Sequence, residues 1–84
     1  MTTIKLGRRN AAAVRGVLGQ LARCGEEDLA QSAAYWSGVI RHRMGARDVQ
    51  TIAWLLLDAS GRRSLPMRQR LAARAWAVRL EGRP

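Results

Sequence analysis

The sequence predicts an all-α protein, a compact single-domain bundle of about four short helices. Three observations predict it. The apolar residues are mainly Ala, Leu and Val, with no Phe, which is the composition of a helix former. Apolar residues recur at i, i+3, i+4 and i+7 over long stretches. Gly25, Gly45, Gly61 and Gly82 each follow such a stretch, where a helix C-cap favours a left-handed residue. A chain of 84 residues buries about 63% of its unfolded surface. That makes one modest core and leaves no room for an enclosed cofactor. Residues 1–84 read as a single domain, with no linker and no internal repeat, and residues 1–9 as a flexible N-terminal arm.

Helix 1 is expected from about Asn10 to Cys24, with Asn10 as N-cap. Val14, Val17, Leu18 and Leu21 form its core stripe and Cys24 extends it. Ala12, Gly16 and Gly19 make a small-residue row on the other side, read either as a groove for another backbone or as a weak stretch of helix. Helix 2 is expected from about Glu26 to Met44. Its acidic start (Glu26, Glu27, Asp28) and basic end (Arg41, His42, Arg43) suit the helix dipole. Leu29, Ala33, Trp36, Ile40 and Met44 share one face. Helix 3, about Asp48 to Ala59 with Asp48 as N-cap, is apolar nearly all round, from Val49 and Ile52 through Trp54 to Leu57. Such a helix belongs at the centre of a bundle, or has a side awaiting a partner.

Helix 4 begins after Pro66 and runs to about Glu81. It carries two apolar stripes: Met67, Leu71, Ala75 and Val78, and then Ala72, Ala73, Trp76 and Leu80. One stripe suffices to dock a terminal helix. The stripe of Ala73, Trp76 and Leu80 is therefore either buried between neighbours or a protein interface rimmed by arginines.

Catalytic chemistry finds little support. His42 and Cys24 are each the single residue of their type, and they fall on different faces of different helices, so no nucleophile–base grouping assembles. Glu26, Glu27 and Asp28 are adjacent and splay around the helix axis. The chain has no phosphate-binding glycine loop, and one cysteine excludes an intrachain disulfide or a cysteine-based metal site. We expect no catalytic residues, no metal and no cofactor. No apolar run reaches the roughly 20 residues of a membrane span, and Met1–Gly7 lacks the apolar core of a secretory signal. The chain reads as cytoplasmic and not membrane-bound.

The charge is the informative feature. Fifteen Lys and Arg stand against six acids, a formal net charge of +9, beyond the roughly 2–8 that keeps a small domain dispersed. Guanidinium groups make forked hydrogen bonds to phosphates and carboxylates. One cluster is Arg41, His42, Arg43 and Arg47. The other is Arg62, Arg63, Arg68, Arg70 and Arg74, with Arg79 and Arg83 beyond. If helices 2 and 4 are neighbours, the clusters merge into one stripe able to neutralise phosphates.

Leu29–Arg43 also resembles the helix-turn-helix of the phage repressor family, with Ala30, Ala34 and Ile40 at the small, small and aliphatic positions. That resemblance implies a turn near Ala34–Trp36, Ser37 capping a recognition helix, and Gly38, Arg41 and His42 facing a major groove. One continuous helix satisfies the 3.6-residue period equally.

The expected function is a small non-enzymatic, strongly basic binding protein. Nucleic acid, DNA or RNA, is the first partner class, and the Ala/Arg-rich composition suits a bacterial or phage regulator. The alternative is a phage-type inhibitor or adaptor docking on an acidic or nucleic-acid-binding surface of a host protein complex. A homodimer through the spare stripe of helix 4 or the Gly16/Gly19 face is a third arrangement.

Overall fold

A computed structural model describes residues 2–81. Its elements are β1 (Thr3–Lys5), α1 (Arg8–Leu21), α2 (Glu27–Val39), β2 (Arg43–Gly45), α3 (Ala46–Ser60) and α4 (Met67–Glu81). The helical class holds, and a two-stranded ribbon is added to it. α1 and α2 form one helical hairpin, and α3 and α4 form a second with the most extensive contact in the molecule. The hairpins meet through α1 against α4 and α2 against α3.

The core is built from Leu6, Val14, Leu18 and Leu21 of the first hairpin and Val49, Ile52, Leu56 and Leu80 of the second, with Ile40 and Met44 between them. Ala53 and Ala59 on α3, and Ala73 and Ala77 on α4, are fully buried. Four such small side chains let the two helix backbones approach closely.

The ribbon was not expected. The segment read as a flexible arm instead pairs, from Thr3 to Lys5, antiparallel to Arg43–Gly45, in the register Thr3↔Gly45, Ile4↔Met44 and Lys5↔Arg43. Its ends are clamped by Leu6 N–H to the His42 carbonyl (2.7 Å) and Ala46 N–H to the Thr2 carbonyl (3.0 Å). Ile4 and Met44 turn inward, while Thr3, Lys5 and Arg43 stay exposed, which is the period-2 alternation of a half-buried strand.

α2 consequently ends at Val39, five residues short of Met44. Ile40 is extended (φ −60°, ψ 136°), as β-branched Val39 and Ile40 after Gly38 favour. α2 is helical without interruption through Ala34–Trp36, so the helix-turn-helix reading is not realised. Helical spacing still named Ile40 and Met44 as core, and both are buried, but from extended backbone.

Other boundaries shift modestly. α1 starts at Arg8 after Gly7, whose φ of 87° is open to glycine at no steric cost. Asn10 is not the cap, and its Nδ2 donates back to the Leu6 carbonyl at 2.8 Å. α3 starts at Ala46, which places Asp48 in the first turn. Gly25, Gly45 and Gly61 do not take left-handed conformations, and Gly82 lies outside the described residues. A Cβ added to Gly16 or Gly19 would meet nothing within 4 Å, so no other part of the described chain fills that row.

At the end opposite the ribbon, Arg62 joins the two hairpins. Its Nη1 donates to Glu26 Oε1 (2.9 Å) and Asp28 Oδ1 (3.1 Å), and its Nη2 to Asp28 Oδ2 (2.9 Å) and Asp58 Oδ2 (2.8 Å). The Ser64 hydroxyl donates to Glu26 Oε2. The hydrogen bonds to Arg62 hold the Asp28 carboxyl below the usual carboxylate range, and those to Asp28 and then Asp58 raise the Arg62 guanidinium. Because the folded state favours ionised Asp28, its contribution is present above the unfolded aspartate value and lost as pH falls through the depressed one. Arg62→Met is therefore expected to lower Tm at neutral pH, and the gap to wild type is expected to shrink between about pH 5 and about pH 2. Thermal melts across that range check it, and a constant gap would contradict it.

Candidate nucleic-acid interface

The two ends of the molecule differ in charge. The loop pole, formed by the α1–α2 and α3–α4 connections, holds Glu26, Glu27, Asp28 and Asp58, four of the six acids of the chain. The ribbon pole gathers cations. One cleft there, about 450 Å³, is lined by Arg8, Ala11, Arg15, Gly38, Ile40, Arg41 and His42. A second, about 290 Å³, lies on the other side of the first turn of α1 and is lined by Lys5, Leu6, Asn10, Trp76, Arg79 and Leu80. No acid lines either cleft. Arg43 stands between them on the ribbon, directly across from Lys5.

Each side chain is positioned by the fold. The β pairing brings Lys5 to Arg43. Arg8 and Arg15 are seven residues apart, so two helical turns carry them along one face of α1. Arg15 Nη2 donates to the Ile40 carbonyl at 2.8 Å and ties α1 to the chain leaving α2, which fixes Arg41 and His42 beside it. The Arg79 guanidinium lies over the Trp76 ring, 4.4 Å from its centroid, a cation–π contact that orients it.

This grouping works against folding stability. Like charges directly opposite on a β pair are destabilising, and Lys5 faces Arg43. The N-terminal end of a helix favours acids. α2 and α3 obey, with Glu27, Asp28 and Asp48 in their first turns. α1 instead opens with Arg8 and Arg9 and has no acid in its first turn; α4, at the loop pole, likewise opens without one.

The residues expected from sequence divide between the two poles. Arg41, His42 and Arg43 lie in the basic pole and are exposed, and Arg47 is exposed in the first turn of α3 next to β2. Arg62 is taken up by three carboxylates and has little left to offer an external anion. Arg63 follows it at the loop pole, where Arg68 lines a cleft with Arg23, Cys24 and Ser64. Arg70 is half-buried, its Nε donating to the Ser60 carbonyl at 3.3 Å. Arg74 is exposed near the middle of α4. The two clusters do not merge, because α2 packs chiefly on α1 and α3. Arg83 lies outside the described residues.

Sequence reading passed over Lys5, Arg8, Arg9 and Arg15. Thr3-Ile4-Lys5 opposite Arg43-Met44-Gly45 has the alternation of a short strand pair, but three residues are too few for that signal to stand out. The proposed protein interface also changes. Ala73 and Leu80 are buried and Trp76 is half-buried, because this stripe is the one that docks α4. The other stripe is exposed.

No helix of the described residues is long and apolar enough to cross a membrane. Among them no three His, Cys, Asp or Glu side chains group as a metal site. Comparison with protein-family models, curated proteins and solved structures returned no match.

Removing the unfavourable charges is expected to stabilise the protein. Arg9→Glu and Arg43→Thr should each raise the unfolding free energy by a few tenths to about 1 kcal/mol. Urea denaturation at low salt measures this, and a loss of stability in both variants would contradict the electrostatic reading.

Proposed function

We propose that the protein is a small non-enzymatic nucleic-acid-binding regulator whose ribbon pole seats the phosphate backbone of DNA or RNA. The observation that carries this reading is the placing of Lys5 opposite Arg43 and of Arg8 and Arg9 in the first turn of α1, where local electrostatics disfavours a cation. Departures from local rules that strengthen no contact within the molecule are expected at functional sites.

The cations would act on phosphates in two ways. Guanidinium groups fork onto phosphate oxygens, and each neutralised phosphate releases condensed counterions, which makes affinity fall steeply with salt. The clefts on either side of the first turn of α1 bring three arginines and a Lys–Arg pair to concave surfaces, spaced along a backbone rather than focused on one base. With α2 unbroken, no recognition helix is offered to a major groove. Binding should therefore tolerate sequence changes, because phosphate contacts position without specifying. His42 and Cys24, the two side chains most suited to covalent or acid–base chemistry, stand at opposite poles, which favours binding over catalysis. The work would be done in the cytoplasm.

Fluorescence anisotropy against a labelled duplex and a labelled RNA stem-loop, over a range of salt, tests the site. Lys5→Ala, Arg8→Ala, Arg41→Ala and Arg43→Ala should each weaken binding and flatten the log Kd–log salt slope, by about 0.9 per lost duplex contact. Arg63→Ala and Arg68→Ala, at the loop pole, should leave both nearly unchanged. Equal losses from both sets would mean attraction to overall charge and no defined site.

A further inference from the structure

The second helical hairpin is covered on one side only. α4 docks through Ala73, Ala77 and Leu80, yet Met67, Leu71 and Val78 on its outer face are 60%, 59% and 55% exposed. α3 exposes Trp54 (57%) and Leu57 (42%). At 100° per residue, Met67, Leu71 and Val78 fall within about 40° of one another, about 130° round α4 from Ala73, Ala77 and Leu80, on its outer side. Trp54 and Leu57 fall on the flank of α3 turned toward α4, where the Arg70 to Ser60 bond fixes the antiparallel alignment. The five side chains therefore border one shallow trough along the outside of the α3–α4 pair. Together they expose roughly 500 Å² of apolar surface, at the upper end of what a monomer carries without a partner.

We infer that this trough docks an amphipathic helix with an acidic rim, supplied by another protein. Two features choose that occupant. The first is charge. Arg74 and Arg68 flank the α4 stripe. Of the acids nearby, Asp58 is already bound to Arg62, and Glu81 stands at the far end. A second copy would set arginine against arginine between two molecules of formal charge +9, which self-repulsion disfavours. Glutamates flanking a leucine stripe would instead meet the rim. The second feature is area. A stable dimer interface needs about 800 Å² on each partner, more than this trough offers, whereas one helix laid in a groove is anchored by a few apolar side chains spaced i, i+4 and i+7. α3 and α4 are 15 residues each, so a helix of about 15 residues spans the trough. The site is separate from the ribbon pole and independent of nucleic-acid binding.

The probe is a synthetic helical peptide of about 15 residues, with leucine on one stripe and glutamate on the rest, titrated by calorimetry. A lysine version with the same leucines is the control. The glutamate peptide should bind one-to-one and the lysine peptide at least tenfold more weakly. Trp54→Ser with Leu71→Ser, both at exposed positions, should weaken the glutamate peptide at least tenfold, with the circular dichroism spectrum retained and duplex binding unchanged. Arg8→Ala with Arg43→Ala should leave peptide binding nearly intact. Three results would overturn the inference: equal binding of the two peptides, loss of peptide binding on changing the ribbon-pole arginines alone, or self-association of the protein that Leu71→Ser abolishes.

Discussion

Pairing of Thr3–Lys5 with Arg43–Gly45 is the constraint on which the rest of the molecule depends. It draws the chain before α1 onto the segment between α2 and α3, so the two helical hairpins share an end. Without it, the first turn of α1, the exit of α2 and the start of α3 would have no common reference. With it, Leu6 and Met44 close the core, the His42 carbonyl caps the ribbon, and five cationic side chains, Lys5, Arg8, Arg15, Arg41 and Arg79, line two adjacent clefts. The pairing is short, and a two-stranded ribbon alone is marginal in water. Its support comes from Ile4 and Met44 packed against the helices.

The opposite end is organised by the reverse principle. There Arg62 gathers Glu26, Asp28 and Asp58, so three of the six acids are spent on one guanidinium. Exposed ion pairs are individually weak, but a shared cation with four hydrogen bonds fixes how the α1–α2 and α3–α4 connections meet. This has a consequence for the whole surface. With four of the six acids at the loop pole, only Asp48 and Glu81 remain to offset the cations at the ribbon pole. A chain of +9 thus carries its excess of cations at the ribbon pole, where Lys5 also faces Arg43 across the strand pair.

Much of the helical framework was legible because it rests on periodicity. Val14, Leu18 and Leu21, then Leu29 and Ala33, then Val49, Ile52 and Leu56, lie on the stripes that their spacing indicates, and Pro66 marks the start of α4. What escaped has definite physical causes. Gly38-Val39-Ile40 ends α2 early, yet Ile40 and Met44 stay buried, so core spacing gave no hint that the backbone had become extended. α4 has two stripes of similar hydrophobicity. The choice between them was decided by the small side chains Ala73 and Ala77, which permit close approach to α3, and not by Trp76. The basic site was half legible. Arg41, His42 and Arg43 stand out in sequence, but Lys5, Arg8 and Arg15 join them only through a three-residue strand and a helical repeat that crosses it. Two of the three partners of Arg62 lie 34 and 36 residues away, beyond local spacing, whereas Asp58 stands only four before it.

The central claim is where a polyanion lands. Amide chemical shifts of the labelled protein, followed while a short duplex is added, measure that directly. The account predicts perturbations concentrated at Lys5–Arg9, Arg15 and Ile40–Arg47, with Arg63, Arg68 and Arg74 little changed. Shifts spread over the whole surface, or centred on the loop pole, would contradict it.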